Sequence, residues 1–570
     1  MKFILKYTLA LLTLLTIVSC ESDFLNVNES PNDPKVAELP KLLTETQYRL
    51  GIATGVGSGT SYLAKPLSGV THGLSIREIG TYALTPGENG TSNAWSSINV
   101  TIIPNLEAII ETATLEENTH FAGIAKIMRA YLYSIMVDLW GDIPYSEANT
   151  PEINTPKLDD QKEIYNDLLA VIDDAIADLS VTDGTKNKTK PGASDLFYEG
   201  KAEIWIRLAN TLKLKMLLQT RLVKSDITDW NGKLSALITA NNFIKSGEDF
   251  EFWWTGAQAS KDERFPTFVS EYGDGQKTCY ISPWLYEIMK GMTLNATNNP
   301  FAGVQDPRIP YFFYNQETAT SKAQGIFEYR DGGFISIFFG TIGGSTAMNS
   351  SQAALGVYPV GGKYDDGSGQ TVSISSGSGK APVRIITYYN LQFMLAELAL
   401  VGDISGDAKA YLKAGIEASM DHVNAVVTEA DPDAPLLSST AVTTFTDAIL
   451  AKYDAGSTDK KLEIILTQKW IASFLSPIDV YTDYRRTGYP IWFNPLTTSP
   501  SNTGYSPMVS DPANPGAPIS QVTPFTVVLP VKYQKSLYYN QAEVTRNPNV
   551  TQKSDPTAVR IFWDTRTYDY

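Results

Sequence analysis

The sequence predicts a mainly α protein, an α-solenoid of successive helix pairs with a loop-rich mixed insertion. The first ground is the stretch from Thr119 to Pro144, where Phe121, Ile124, Ala125, Met128, Tyr131, Leu132, Ile135, Met136 and Leu139 recur at three- and four-residue steps. One broad face of that helix is apolar and has to be buried. Asn118 or Thr119 can cap its start, Gly141 can end it and Pro144 prevents its resuming. The second ground is that similar helices follow in pairs, none able to hide its apolar face alone, a condition that favours stacking. The third is length: 570 residues with 43% apolar side chains can bury an extended core. No regular repeat is detectable, so an irregular helical bundle is the alternative.

Taken in order, residues 41–53 read as a helix, and 54–62 (TGVGSGTSY) as a glycine-rich loop that lacks the dinucleotide fingerprint. A loop, GENGTSNAW, leads into a helix near 96–112. The opening helix is followed by 160–179, with an apolar stripe from Ile164 to Leu179 and capping-box spacing at Asp160 and Glu163. Next come 195–224, with Trp205, Leu208, Leu212 and Met216, and 232–246, ended by Gly247. After an interruption, 384–401 pairs with 406–427 across Gly402-Asp403, and 442–453 pairs with 459–475, stopped by Pro477. The interruption, 247–383, is rich in Gly, Ser, Asn and aromatics and is too long for a plain loop. It is expected to fold as loops, short strands and a few helices on one side of the solenoid, and to carry function. The resulting division is 1–19, 20–40, 41–246, 247–383, 384–476 and 477–570.

The first of these segments is a targeting signal. Lys2 and Lys6 precede an apolar run from Tyr7 to Val18 that is too short to span a bilayer and reads as a signal peptide. The junction Ile17-Val18-Ser19-Cys20 looks like a bacterial lipobox, which would make Cys20 the site of lipid attachment; an ordinary secretory signal is the alternative. Residues 21–40 follow as a polar tether. The other cysteine, Cys279, reads as a plain buried or half-buried thiol. A net charge of −16 argues against nucleic acid as a partner. The 30 Tyr, 22 Phe and 10 Trp exceed what a core alone requires and point to flat binding surfaces.

Several stretches together resemble the SusD/RagB family of Bacteroidetes nutrient-binding outer-membrane lipoproteins. They are the lipobox with FLNVNESPNDP, RAYLYSIMVDLWGDIPYSEA at 129–148, DPRIPYF at 306–312, ILTQKWIASF at 465–474 and DYRRTGYP at 483–490. One segment departs from the family pattern: Tyr533 is followed by Gln534 and not by proline, Leu537 stands where an acid is usual, and only Asn540 fits. The resemblance implies a scaffold of tetratricopeptide-like pairs, lipid anchoring to the outer membrane and exposure at the cell exterior. It also implies a role as a lid on a SusC-like TonB-dependent transporter, to which an oligosaccharide, or in some members a peptide, is delivered without any cofactor.

Neutral glycans are bound by aromatic faces stacked on sugar C–H surfaces and by planar polar side chains that hydrogen-bond hydroxyls. Trp284 with Tyr280 and Tyr286, Trp253 with Trp254, and Trp95 with Asn93 and Arg77 fit that pattern. Each has a packing alternative, and for Trp95 the helical spacing to Ile98 and Ile102 favours packing. Arg485 and Arg486 are read as partners of carboxylates and helix-end carbonyls, not as ligand clamps. The enzyme reading finds little support. His72, His120 and His422 lie far apart without a zincin motif, no Gly-x-Ser-x-Gly elbow occurs, and neither SGSGK nor VGGK completes a phosphate loop. No metal ligands are assigned: the acids lack EF-hand spacing, and the sequence leaves open whether calcium is bound. A peptide-binding lipoprotein and a surface glycoside hydrolase are the alternatives to glycan capture.

Overall fold

The computed structural model describes residues 38–55, 67, 74–76, 91–259, 261–273, 279–296, 298–321, 329–337, 341–342, 350–490, 503–505, 509–511, 514–519, 525–527 and 534–566. The signal peptide, Cys20 and Arg77 lie outside them. Helices dominate. The N-terminal half contains α1 (Leu39–Thr54), α2 (Ile103–Leu115), α3 (Thr119–Trp140), α4 (Gln161–Leu179), α5 (Ala202–Gln219) and α6 (Trp230–Ala240). The insertion carries β1 (Phe250–Trp254), α7 (Pro283–Lys290) and several shorter pieces, and ends in β2 (Ala381–Ile386). The C-terminal half supplies α8 (Tyr388–Leu400), α9 (Ala408–Ala430), α10 (Ser439–Ala455), α11 (Thr458–Ala472), α12 (Pro477–Thr487) and α13 (Gln541–Arg546). Consecutive helices pack on one another from α2 to α6 and again from α8 to α12, as a solenoid of helix pairs requires. Contacts of α5 with α8, and of α12 with α3 and α5, join the two halves. Among the described residues no helix is long and apolar enough to cross a membrane.

The helix α3 is more central than its sequence suggests. It is buried on almost every side, including Ala122, Gly123, Tyr133, Ser134 and Asp138 off the apolar stripe. Small residues explain part of this: a Cβ on Gly123 would stand 2.7 Å from Leu179 of α4, so only glycine allows that approach. Its ends are satisfied from remote chain. Asn118 makes no side-chain cap; Asn187 instead accepts from the His120 N–H at 2.8 Å. At the other end the Val137 carbonyl accepts from Gly141 N, Asp138 from Arg485 Nη2, Leu139 from Leu537 N and Trp140 from Lys553 Nζ. Gly141 has φ +80° and ψ −123°, outside the usual left-handed cap. The departure at Leu537 thus has a structural meaning. Leu537 is fully buried against α3, while Asn540 caps α13 through Ala542 N at 2.8 Å.

Several boundaries differ from the sequence reading. The expected helix at 195–224 occupies only Ala202–Gln219, because Asp195 is used otherwise: it accepts from Gln47 Nε2 of α1 (2.8 Å) and Trp205 Nε1 (2.7 Å). Gly247 does not end α6, which stops at Ala240 with Asn241 in the left-handed conformation. The run 384–401 begins as strand, since β2 pairs with β1, and turns helical only after Thr387 caps α8. Pro477 opens α12 as its first residue, a position where the missing N–H costs nothing. Asp160 caps α4 as its spacing indicates, accepting from Lys162 N and Glu163 N.

The signature segments dock the insertion and brace the scaffold. In DPRIPYF, Asp306 and Arg308 form a buried pair, and Arg308 reaches Ser419 of α9 (2.8 Å) and Gln468 of α11 (3.1 Å). In DYRRTGYP, Arg486 donates to Glu397 of α8 and to Asp483, and Arg221 adds a second guanidinium on Glu397 at 2.7 Å. Lys469 grips the other oxygen of Asp483 at 2.7 Å. Arg485 donates to the Asp138, Lys535 and Tyr481 carbonyls, so both arginines serve carboxylates and carbonyls as their context suggested.

Candidate functional site

The site is built on β1. Its residues alternate, with Phe250, Phe252 and Trp254 buried and Glu251 and Trp253 half-buried on the other face, as a strand with one solvated side must. Antiparallel pairing sets Glu251 opposite Arg384, Trp253 opposite Pro382 and Trp254 opposite Ala381 on β2. The helix α1 packs across this pair so closely that a Cβ on Gly51 would meet the Phe252 ring at 2.5 Å. That contact brings Tyr48 edge-on to Phe252 (5.9 Å) and to Trp254 (6.0 Å).

Between these rings opens a cleft of about 520 Å³, within the ordinary size of a small-molecule site. Tyr48, Phe252, Trp253 and Trp254 supply its apolar lining, and Thr44, Glu45, Thr255, Lys261 and Glu263 its polar part. The Lys261 ammonium lies 4.0 Å from the Tyr48 ring centre, a cation–π contact. Leu196, 43% exposed, forms an open edge. Thr255 Oγ1 donates to Glu263 at 2.6 Å, which fixes the loop beyond β1. Aromatic walls with a few charged and hydroxyl groups suit a neutral polyhydroxylated chain, and equally a short peptide.

Trp253 is fixed from behind. Its Nε1 donates to Glu251 Oε1 at 2.8 Å, and the other Glu251 oxygen lies 2.9 Å from His422 Nε2 of α9. His422 Nδ1 is in turn 3.1 Å from the Tyr358 hydroxyl. Burial opposes a charge on His422, but Tyr358, Glu251 and Asp249 together push its pKa up to about 10. Burial also pushes Asp249 up to about 6. The sequence places no emphasis on His422 or Glu251, because 171 residues separate them; only the pairing of β1 with β2 beside α9 brings them together.

The remaining aromatic candidates are packed elsewhere. Trp284 opens α7 and is 7% exposed. Tyr286 stacks on Phe334 at 3.8 Å and donates to Asp331, which also receives Lys290. Tyr280 is buried with Ile335 and Ile337 on a short strand, Cys279–Ile281, that pairs with Leu74–Ile76. Trp95 is buried edge-on to Trp140 (5.1 Å) and Tyr539 (6.0 Å), while Asn93 is exposed on the same helical turn. The structure therefore brings Trp253 and Trp254 together with Tyr48 along one cleft and leaves Trp284 and Trp95 buried in other parts of the fold. Tyr48 was legible only as a member of a helix; nothing in its neighbours Gln47 and Arg49 marks it as a wall.

No curated protein sequence matches the chain significantly. Solved structures do resemble it. A SusD homologue from Bacteroides fragilis is 18% identical with a TM-score of 0.63, covering 93% of this chain and 99% of its own. A chitin-binding protein is 20% identical with a TM-score of 0.64, over 93% and 100% respectively. A chitin-binding SusD homologue from Flavobacterium johnsoniae is 18% identical with a TM-score of 0.62, over 92% and 98%. At these identities the likeness establishes the fold. The SusD-like family model, described as starch-binding and associating with the outer membrane, matches residues 31–508, and the chain belongs to that family.

Proposed function

We propose that this chain is a cell-surface lipoprotein, anchored through Cys20, that captures an oligosaccharide and hands it to a SusC-like TonB-dependent transporter. The observation that carries the reading is the cleft of about 520 Å³ walled by Tyr48, Trp253 and Trp254 on a member of a glycan-binding family. Flat rings held edge to face present stacking surfaces to sugar rings, and the half-buried Trp253 is held in place by its bond to Glu251. Binding without chemistry is enough for this role, since import is the work of the partner. Two structural relatives are named as chitin-binding, so N-acetylated glucan oligomers are the first ligands to try.

The test is calorimetric titration of the full chain with chito-oligosaccharides, starch and other glycans, and a peptide digest. Saturable binding of one glycan class, weakened at least tenfold (about 1.4 kcal/mol) by Trp253→Ala and unchanged by Trp284→Ala, supports the reading. Binding that follows Trp284 instead would move the site, and a peptide response without any glycan response would sink the oligosaccharide assignment.

A further inference from the structure

Behind the Trp253 indole, Asp249, Glu251 and His422 converge, their nearest ligand atoms all within 4.8 Å of one another. They come from the turn into β1, from β1 itself and from α9, so the grouping is a product of tertiary packing. Among the described residues no lysine or arginine pairs with Asp249 or Glu251; Asp249 accepts from Tyr388 N, and the only positive charge the cluster can carry is that of the His422 imidazole itself. Arg384, opposite Glu251 in the strand register, turns away: its guanidinium donates to the Tyr358 and Phe474 carbonyls and lies 4.5 Å from the Tyr358 ring centre. The Tyr358 hydroxyl meets His422 Nδ1 at 3.1 Å, where it can accept the Nδ1 proton and leave the Nε2 lone pair for another partner. A second observation points to an occupant. Tyr389 is 1% exposed, its ring stands 5.6 Å from that of His422, and its hydroxyl, with Thr387 as its neighbour, makes no hydrogen bond within 3.5 Å. A buried hydroxyl of this kind is costly unless something fills the space before it.

The geometry points to a divalent cation site formed by Asp249, Glu251 and His422, with Tyr358 orienting the imidazole and the Tyr389 hydroxyl facing an ion-bound water. One nitrogen and two carboxylate donors match zinc or manganese better than calcium or magnesium, which prefer all-oxygen shells. Donors bound at about 2.0–2.2 Å to one ion lie at most about 4.4 Å apart, so small side-chain shifts close the site. On binding, the ion replaces the proton shared between His422 Nε2 and Glu251, and that proton leaves to solvent. Glu251 keeps its other oxygen on Trp253 Nε1, so the ion becomes a fixed anchor behind the wall of the cleft.

The experiment is titration of the tag-free, chelator-stripped full chain with ZnCl2, and separately with MnCl2 and CaCl2, read by calorimetry and by tryptophan fluorescence. The expected result is one saturable zinc or manganese site per chain, at least tenfold tighter than calcium, with a fluorescence change that disappears in Trp253→Phe. His422→Gln and Asp249→Asn should each weaken binding at least tenfold, and Tyr358→Phe roughly tenfold as an orienting residue, with circular dichroism confirming that the variants fold. Absence of saturable zinc or manganese binding, or binding that survives both His422→Gln and Asp249→Asn, overturns the assignment. No glycan is present in this titration, so its failure and that of the oligosaccharide reading are separable.

Discussion

The ion network beneath α12 and the cleft on β1 use similar materials and reach opposite results. In the network, Arg486 and Glu397 have side chains exposed by 0% and 1%, and each charge faces at least one opposite charge on another segment. In the cleft, Lys261 and Glu45 stand at an open rim, Trp253 is half-buried, and the strongest fixed bond runs backwards to Glu251. Closed charges hold the two helical halves together at a high cost if any one is removed; open ones leave surface for a ligand at little cost to the fold. Substitutions can break or sharpen that contrast.

Glu397→Ala should have the largest effect. It strands the guanidiniums of Arg486 and Arg221 without water, and a loss of about 3–5 kcal/mol is expected by denaturant titration. A loss below 1 kcal/mol would mean that the network relaxes to water. Acid should act on the same place. Burial raises the Glu397 pKa, but Arg486 and Arg221 outweigh it and bring it down to about 2 from the ordinary value of 4.5. A depressed carboxylate stabilises the fold above its unfolded pKa, so this contribution is full above pH 4.5 and is lost as the pH falls toward about 2. Thermal melts across that window should show the loss in wild type and a flatter profile in Glu397→Gln. Next comes Trp253→Ala, expected to lower stability by only about 1 kcal/mol because the ring is half-buried, while reducing glycan affinity at least tenfold. Lys261→Ala should be smallest, roughly 0.5 kcal/mol from the lost contact with Tyr48, seen as a slight fall in the denaturant midpoint.

The helices were legible because three- and four-residue apolar steps persist through α3, α4 and α9 whatever their neighbours do. Their ends were less so. Asp195 took a role set by the distant Gln47, and the cap of α3 comes from Arg485, Leu537 and Lys553, which no local pattern could reveal. For the proposed site, the aromatic content of 247–383 marked the segment that carries β1, but aromatic residues alone do not report which face stays open. The alternation in β1 sets Trp253 and Trp254 on opposite faces, and it became informative only once α1 was known to pack on the Phe252 and Trp254 side. Trp284 had the same local appearance, yet it lies in a helix whose buried side includes Leu285, Ile288 and Met289.

The capping of α3 by the end of the chain has a consequence for biosynthesis. The Trp140 carbonyl waits for an ammonium that lies 413 residues downstream. At about 5–20 residues per second, roughly 20–80 s separate the emergence of the two from the ribosome. For that interval α3 exists with its final turn unsealed. A product truncated before Lys553 lacks that seal, so it should be degraded and should not accumulate as a shorter form.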